Sequence, residues 1–453
     1  VLVNLKPNLS LLGWDNYSSF LDHNINFFRT IFATWREYRG FGVPSDSEST
    51  DIFRQVFFLV VGSFVKSELL DQLFVLIMLV VGTISMYFFS SSMWIRYSNN
   101  NHNHNKSDLV GFLASLFYVF NLNTLATFYF PMIMFIIRFA SLPLLLYFLL
   151  RIFSPHSKRF DYIGYAVSVL ITSGAYMTAT VFVTTFLVIG IFIIFTSTSI
   201  QKTLITLLLF VLINSFWIIA FMNYTVQKSN IVYKAPTFIE ANEIQLNKSA
   251  LFYAPEKQLI LYPNFFETPI TDTTGTKAAG YHQISSRLNN PLVRTYIFIF
   301  PLGYLLGSVL LTYKGLRRKS LLWLPITISL FLFLSMKAFS PLGFLFVWFE
   351  KNIPFFSQLF RFGDTKFHAF IAFSGSIAAS FFIVEFFSLF KKRFVVYLLG
   401  IFILLGGVLT YKEYFNGNIV GFFVRNKIPD AYYQVAKEIN STPGEGRVLH
   451  LPF

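Results

Sequence analysis

Long stretches almost without charge constrain this chain more than any other feature. A hydrocarbon core ~30 Å thick takes about 20 apolar residues in helical form to cross. Ten runs approach that length: 69–94, 108–128, 131–153, 160–178, 180–198, 202–222, 295–313, 320–338, 367–390 and 394–411. Runs 160–178 and 180–198 almost touch, with Gly174 and Thr178-Ala179-Thr180 as the expected turn. Backbone groups in hydrocarbon must be satisfied within their own segment, so such runs have to be helices. Composition agrees: 13% of the 453 residues are charged, about half the ~25% usual in soluble domains. The expected fold class is an all-α polytopic membrane protein with about ten transmembrane helices. The chain has no cysteine, which excludes disulfides and thiolate metal sites.

A net charge of +14 would suit a nucleic-acid binder, but its placement argues against one, and no nucleic-acid partner is expected. The excess sits in short loops between apolar runs: Arg96 and Lys106; Arg151, Lys158 and Arg159; Lys202; "KGLRRK" at 314–319; and "KKR" at 391–393. If all five loops are cytoplasmic, every run alternates without conflict. The organisation is then a first extracytoplasmic loop (1–68), a first part of the bundle (69–222), an extracytoplasmic loop or subdomain (223–294), a second part of the bundle (295–411), and the start of a soluble extracytoplasmic domain (412–453). In the second of these outer segments, "KQLILY" has a strand pattern. In the last, "IPDAYYQVAKEIN" reads as helix and "RVLHLP" as strand, the start of an α/β domain. The start at Val1 and the strand-like end suggest a longer protein, with a helix before Val1 and a soluble region after Phe453. The Asn-rich loop 99–106 carries His102 and His104, but two histidines without further ligands make a solvated linker rather than a metal site.

The first outer segment holds "GWDN" at 13–16 and then an amphipathic pattern over 17–38. Leu21, Ile25, Phe28, Phe32 and Trp35 share one helical face; Asp22, Asn26, Arg29, Thr30, Arg36 and Glu37 fall away from it. That predicts a helix lying in the interface. A second one follows over 51–65, beginning with Asp51 and Arg54. Asp15 precedes the first helix. It has two readings: an N-cap, which Asp and Asn serve well, or a catalytic or binding acid.

Cations also stand where the positive-inside trend does not place them. Arg138 lies about seven residues into its run, roughly 10 Å deep at 1.5 Å per residue. Lys337 ends another run, and "LFRFGDTKFH" at 359–368 sets Arg361, Asp364, Lys366 and His368 at the head of the next. Such a cluster suits an anion, and a lipid phosphate is the natural one at a membrane face. Snorkelling and local salt bridges are the plainer alternative. Glu385 is expected to pair with "KKR", and Asn214 and Trp217 to serve helix packing.

These residues and motifs resemble the C-type (GT-C) glycosyltransferase superfamily of membrane enzymes, in particular arabinofuranosyltransferase-like and YfhO-like bacterial proteins. The resemblance rests on "GWDN", on "WREYRGFG" (35–42), on "YVFNLNTLATFYFP" (118–131), on "NSFWIIAF" (214–221) and on "LFRFGDTKF" (359–367). It implies an inverting transfer of a sugar from a polyprenyl-phosphate donor to an extracytoplasmic glycan or lipid acceptor, at the cell membrane. Asp15 would be the catalytic base, and Arg361, Lys366 and Arg138 would hold the donor phosphate. Asn16, Asp22, Arg29, Glu37, Asp51, Arg54, Lys337, Asp364 and His368 would support them. Asn16 stands where many members carry a second acid. No metal and no cofactor beyond the donor lipid is expected. The rival readings are a flippase for lipid-linked glycans, which would need polar residues through the bundle, and a non-catalytic protein of envelope assembly.

Overall fold

A computed structural model describes residues 2–11, 23–32, 35–36, 43–44, 47–98, 104–234, 253–263, 270–271, 277–278, 286–316, 318–353, 356–360, 363–388, 393–421 and 425–441. The chain folds as a multi-pass α-helical membrane protein. Among the described residues, six stretches are long and apolar enough to cross a bilayer: α3 (Ser67–Ser98), α6 (Ile133–Ile152), the first part of α9 (Ile200–Lys234), α11 (Pro291–Gly315), the stretch Lys319–Phe339 that contains α12 (Trp323–Met336), and α15 (Gly363–Ser388).

A seventh is broken. α4 (His104–Val119) and α5 (Leu122–Tyr129) meet at 56°. Asn121 makes the break affordable: its Nδ2 donates to the carbonyls of Phe117 and Tyr118, and its Oδ1 caps the Thr124 N–H at 2.9 Å. Three of the ten expected runs form shorter helices: α7 (Arg159–Ser173), α8 (Ala179–Thr196) and α16 (Arg393–Thr410). The turn expected at Gly174 to Thr180 is present as a tight 3-10 turn, Gly174–Met177, followed by extended Thr178.

The core is built from close helix contacts. Gly303 and Gly307 of α11 face Ala379 and Ala378 of α15, and a Cβ on Gly307 would come within 2.2 Å of the Ala378 carbonyl. Small residues let two backbones approach where lipid offers no hydrophobic drive. Elsewhere aromatic rings fill the space, as where Tyr118 stacks on Phe139 at 4.3 Å and donates its hydroxyl to the Phe139 carbonyl.

The basic loops gather at one end of the bundle. Arg96 donates to the Thr196 carbonyl at 3.0 Å, and Lys202 to those of Ile152 and Ser154. Lys314 pairs with Glu385 at 2.9 Å, and Tyr97 bonds the same carboxylate. Lys391 and Lys392 of "KKR", the expected partners, lie outside the described residues; the described partner of Glu385 is Lys314. Lys314, from "KGLRRK", reaches it because α11 and α15 pack side by side.

The opposite end is capped by both ends of the described chain. β1 (Ser10–Leu11) pairs antiparallel with β6 (Arg425–Asn426). Asn4 bonds the backbone of Tyr414 and Ile419, and Arg425 donates to the carbonyls of Asn4 and Gly417. Arg287 closes on Glu413 at 2.5 Å.

Two local expectations change. In the first outer segment, α1 is described over His23–Phe32, and the helix expected to Tyr38 gives way to a strand at Trp35–Arg36. β2 (Trp35–Arg36) pairs antiparallel with β3 (Val43–Pro44). α2 (Ile52–Val61) forms where the second helix is expected, and Ile25, Phe28 and Phe32 of α1 and Val60 of α2 are exposed. In the 223–294 segment, α9 continues to Lys234, and "KQLILY" is no strand. It starts inside α10 (Pro255–Leu259), where Pro255 at the first helical position pre-sets the turn. β4 (Ile270–Thr271) and β5 (Lys277–Ala278) pair around "DTTGT". After them come α13 (Gly343–Asn352), α14 (Phe356–Leu359) and, late in the chain, α17 (Asp430–Ser441) where a helix is expected. "RVLHLP" lies outside the described residues.

Candidate functional site

Buried charge is concentrated at the capped end. Among the described residues, the buried Asp, Glu, Lys, Arg and His side chains are Glu48, Asp51, Arg54, Asp71, Arg138, Asp364, Lys366, His368, Glu413, Arg425 and, alone at the basic end, Asp161. Seven of them form two constellations, Asp51, Arg54 and Asp71 in one and Arg138, Asp364, Lys366 and His368 in the other.

The first is ionic. Asp51 precedes α2, and Arg54 follows one turn later, so the spacing sets carboxylate over guanidinium. Arg54 Nε and Nη2 grip Asp51 at 3.0 and 2.7 Å, its Nη1 reaches Asp71 of α3 at 3.4 Å, and Gln55 Nε2 donates to Asp51 at 2.8 Å. Burial alone would pull the Arg54 guanidinium down; the two carboxylates outweigh it and hold it above its ordinary value. Ser173 ties the group to α7 through the Thr50 carbonyl. Asp71 is a partner that sequence reading missed. Its signal was an acid in the first turn of an apolar run.

The second constellation surrounds the start of α15. Arg138 is 1% exposed. Its guanidinium lies between the rings of Phe135 and Phe370, 5.0 Å from each centroid. Its Nη atoms donate to the carbonyls of Thr365 and Lys366 at 2.9 and 3.2 Å. Arg138 therefore acts on the backbone that carries Lys366, which makes it a positioning residue for the start of that helix. Asp364 sits in the first turn of α15, where the helix dipole favours an acid. His368 Nε2 meets Gln258 Oε1 of α10 at 2.7 Å. An amide oxygen only accepts, so this nitrogen carries the proton.

Residues 253–263 cover this helix start. Lys337 places its ammonium 4.2 Å from the centre of the Tyr253 ring, and Tyr304 donates to the Leu259 carbonyl. Burial, and then the nearby Asp364 charge, hold the Tyr253 phenol above its usual range. Lys337 and Leu261 both have positive φ, +51° and +57°, a costly geometry for such residues that gathers at functional sites. Between Asn123, Thr127, Asp364, Thr365 and Pro263 lies a cavity of about 20 Å³, room for about one water.

Asp15, Asn16, Asp22, Glu37 and Arg361 lie outside the described residues. Arg29 lies in α1, which packs against α2, the helix that carries Arg54. Asn214 and Trp217 behave as packing residues: Trp217 Nε1 donates to Asn214 Oδ1 at 2.8 Å on the same helix. Among the described residues no three His, Asp or Glu side chains gather as a metal site. Comparison of the chain with protein-family models, with curated proteins and with solved structures finds no match.

Proposed function

We propose that the chain is a membrane glycosyltransferase that takes its sugar from a polyprenyl-phosphate donor and works at the capped end, on the extracytoplasmic side. The observation that carries this reading is the one-sided placement of buried charge. Four hydroxyls of the bundle bond to their own helices: Ser141 to Ile137, Thr172 to Ser168, Ser374 to Phe370 and Ser376 to Ala372. Charge gathered at one end, rather than along the bundle, favours a site over a conduit.

In the proposed reaction the acceptor hydroxyl attacks the anomeric carbon. The new C–O bond forms as the bond to the lipid phosphate oxygen breaks, and the electron pair leaves with the phosphate. Asp15 takes the hydroxyl proton. Lys366, the N–H groups at the start of α15 and Arg361 face the developing phosphate charge. Arg138 holds that helix start in place. Residues 253–263 fill the mouth of the site, so the donor enters by displacing them.

The test is sugar transfer from a labelled polyprenyl-phosphate donor by purified protein. Asp15→Asn is expected to lower the rate about 10²–10⁴-fold while lipid binding persists. Transfer at the parent rate would remove Asp15 from the chemistry. Movement of the lipid across vesicles without transfer would favour the flippase.

A further inference from the structure

A groove at the basic end stands apart from the proposed reaction. α16 packs tightly at its far half: a Cβ on Gly406 would come within 2.2 Å of Tyr296, and one on Gly407 within 2.7 Å of Phe120. Towards its start it diverges from α4. Gly400 has nothing within 4 Å of where a Cβ would sit. The wedge left between the helices has a volume of about 380 Å³, within the ~300–1,000 Å³ usual for ligand sites. Its walls are Leu109 and Phe112 of α4 and Ile401 and Leu404 of α16. Phe112, Ile401 and Leu404 are all more than a third exposed, on helices whose outer faces meet lipid. At its neck stand Asn105 and Asp108.

Asp108 is the informative residue. It is exposed, one turn into α4, at the end where Arg96, Arg151, Lys202 and Lys314 collect. Tyr87 donates its hydroxyl to Asp108 Oδ1 at 3.0 Å. A carboxylate has about four acceptor positions, so one phenol leaves it able to take further donors. An apolar wedge open to lipid with a carboxylate at its neck matches a molecule with a hydrocarbon chain and a primary ammonium. We propose that this groove binds an amine-bearing membrane phospholipid. One acyl chain lies along Leu109, Phe112, Ile401 and Leu404, and the headgroup ammonium donates to Asp108.

Native mass spectrometry of the full chain, extracted and washed in mixed micelles of phosphatidylethanolamine and phosphatidylglycerol, tests this. The parent protein is expected to retain phosphatidylethanolamine about tenfold over phosphatidylglycerol, the worth of one charge-assisted hydrogen bond. Asp108→Asn, at an exposed position, removes that preference. Gly400→Phe fills open space, keeps the melting temperature of the parent and loses both lipids. Equal retention of the two lipids by the parent protein, a preference that survives Asp108→Asn, or lipid retained by a folded Gly400→Phe overturns the proposal.

Discussion

The two ends of the bundle use the same residue types and hold them differently. At the capped end, Arg54 and Asp51 have side chains 2% and 6% exposed and bond to each other, with Asp71 as second partner. At the basic end, the Arg151 side chain is 43% exposed as it meets Asp161, and Lys314 and Glu385 are 29% and 28% exposed. Removing water makes a partner obligatory, since a buried charge left alone costs several kcal/mol. Where water remains, an ion pair is close to neutral and salt screens it. The ends also differ in what the cations touch. At the basic end Arg96 and Lys202 tie loops together; at the capped end Arg138 fixes the start of one helix and Arg54 the join between α2 and α3.

The sharpest test of this contrast is Arg54→Met, which strands two buried carboxylates. It should cost about 3–5 kcal/mol of stability, read as a large drop in melting temperature in detergent. Adding Asp51→Asn and Asp71→Asn should return much of that loss, and no return would mean that packing, not charge, holds the join. Arg138→Met comes next, at about 2–3 kcal/mol for its two charged hydrogen bonds. It should lower sugar transfer more than Arg138→Lys does, because both changes lose the fork but only Met loses the charge. Gln258→Leu leaves His368 without its partner and should cost about 1–2 kcal/mol, seen as faster proteolysis of the segment 253–263. Smallest is Lys314→Met at the basic end, at most about 1 kcal/mol. Its effect should fade at 1 M salt, where the screening length is ~3 Å, whereas that of Arg54→Met should not. If the two substitutions respond to salt alike, the contrast between the ends fails.

Much of the scaffold was legible along the chain. Apolar runs mark α3, α6, α9, α11 and α15, the turn at Gly174 is where the two runs almost touch, and the basic loops meet at one end. Asp51 and Arg54 could be paired from spacing alone. Asp71 could not, being 17 residues from Arg54 on another helix. Arg138 stood out as a deep cation, but its partners Thr365 and Lys366 are more than 220 residues away.

The sequence by itself determined that this chain is a bundle of helices crossing a membrane, because hydrocarbon tolerates no unsatisfied backbone and the apolar runs have the length to span it. It also determined which loops carry the positive charge. Tertiary structure alone decided which charges meet. It gave Glu385 to Lys314, bound Asp71 to Arg54 and set Arg138 on the backbone of α15. It put Trp35 and Arg36 in a strand and bent α4 from α5 at Asn121. The reason is range: a helix forms from contacts three or four residues apart, while a buried charge finds its partner only once distant helices have packed.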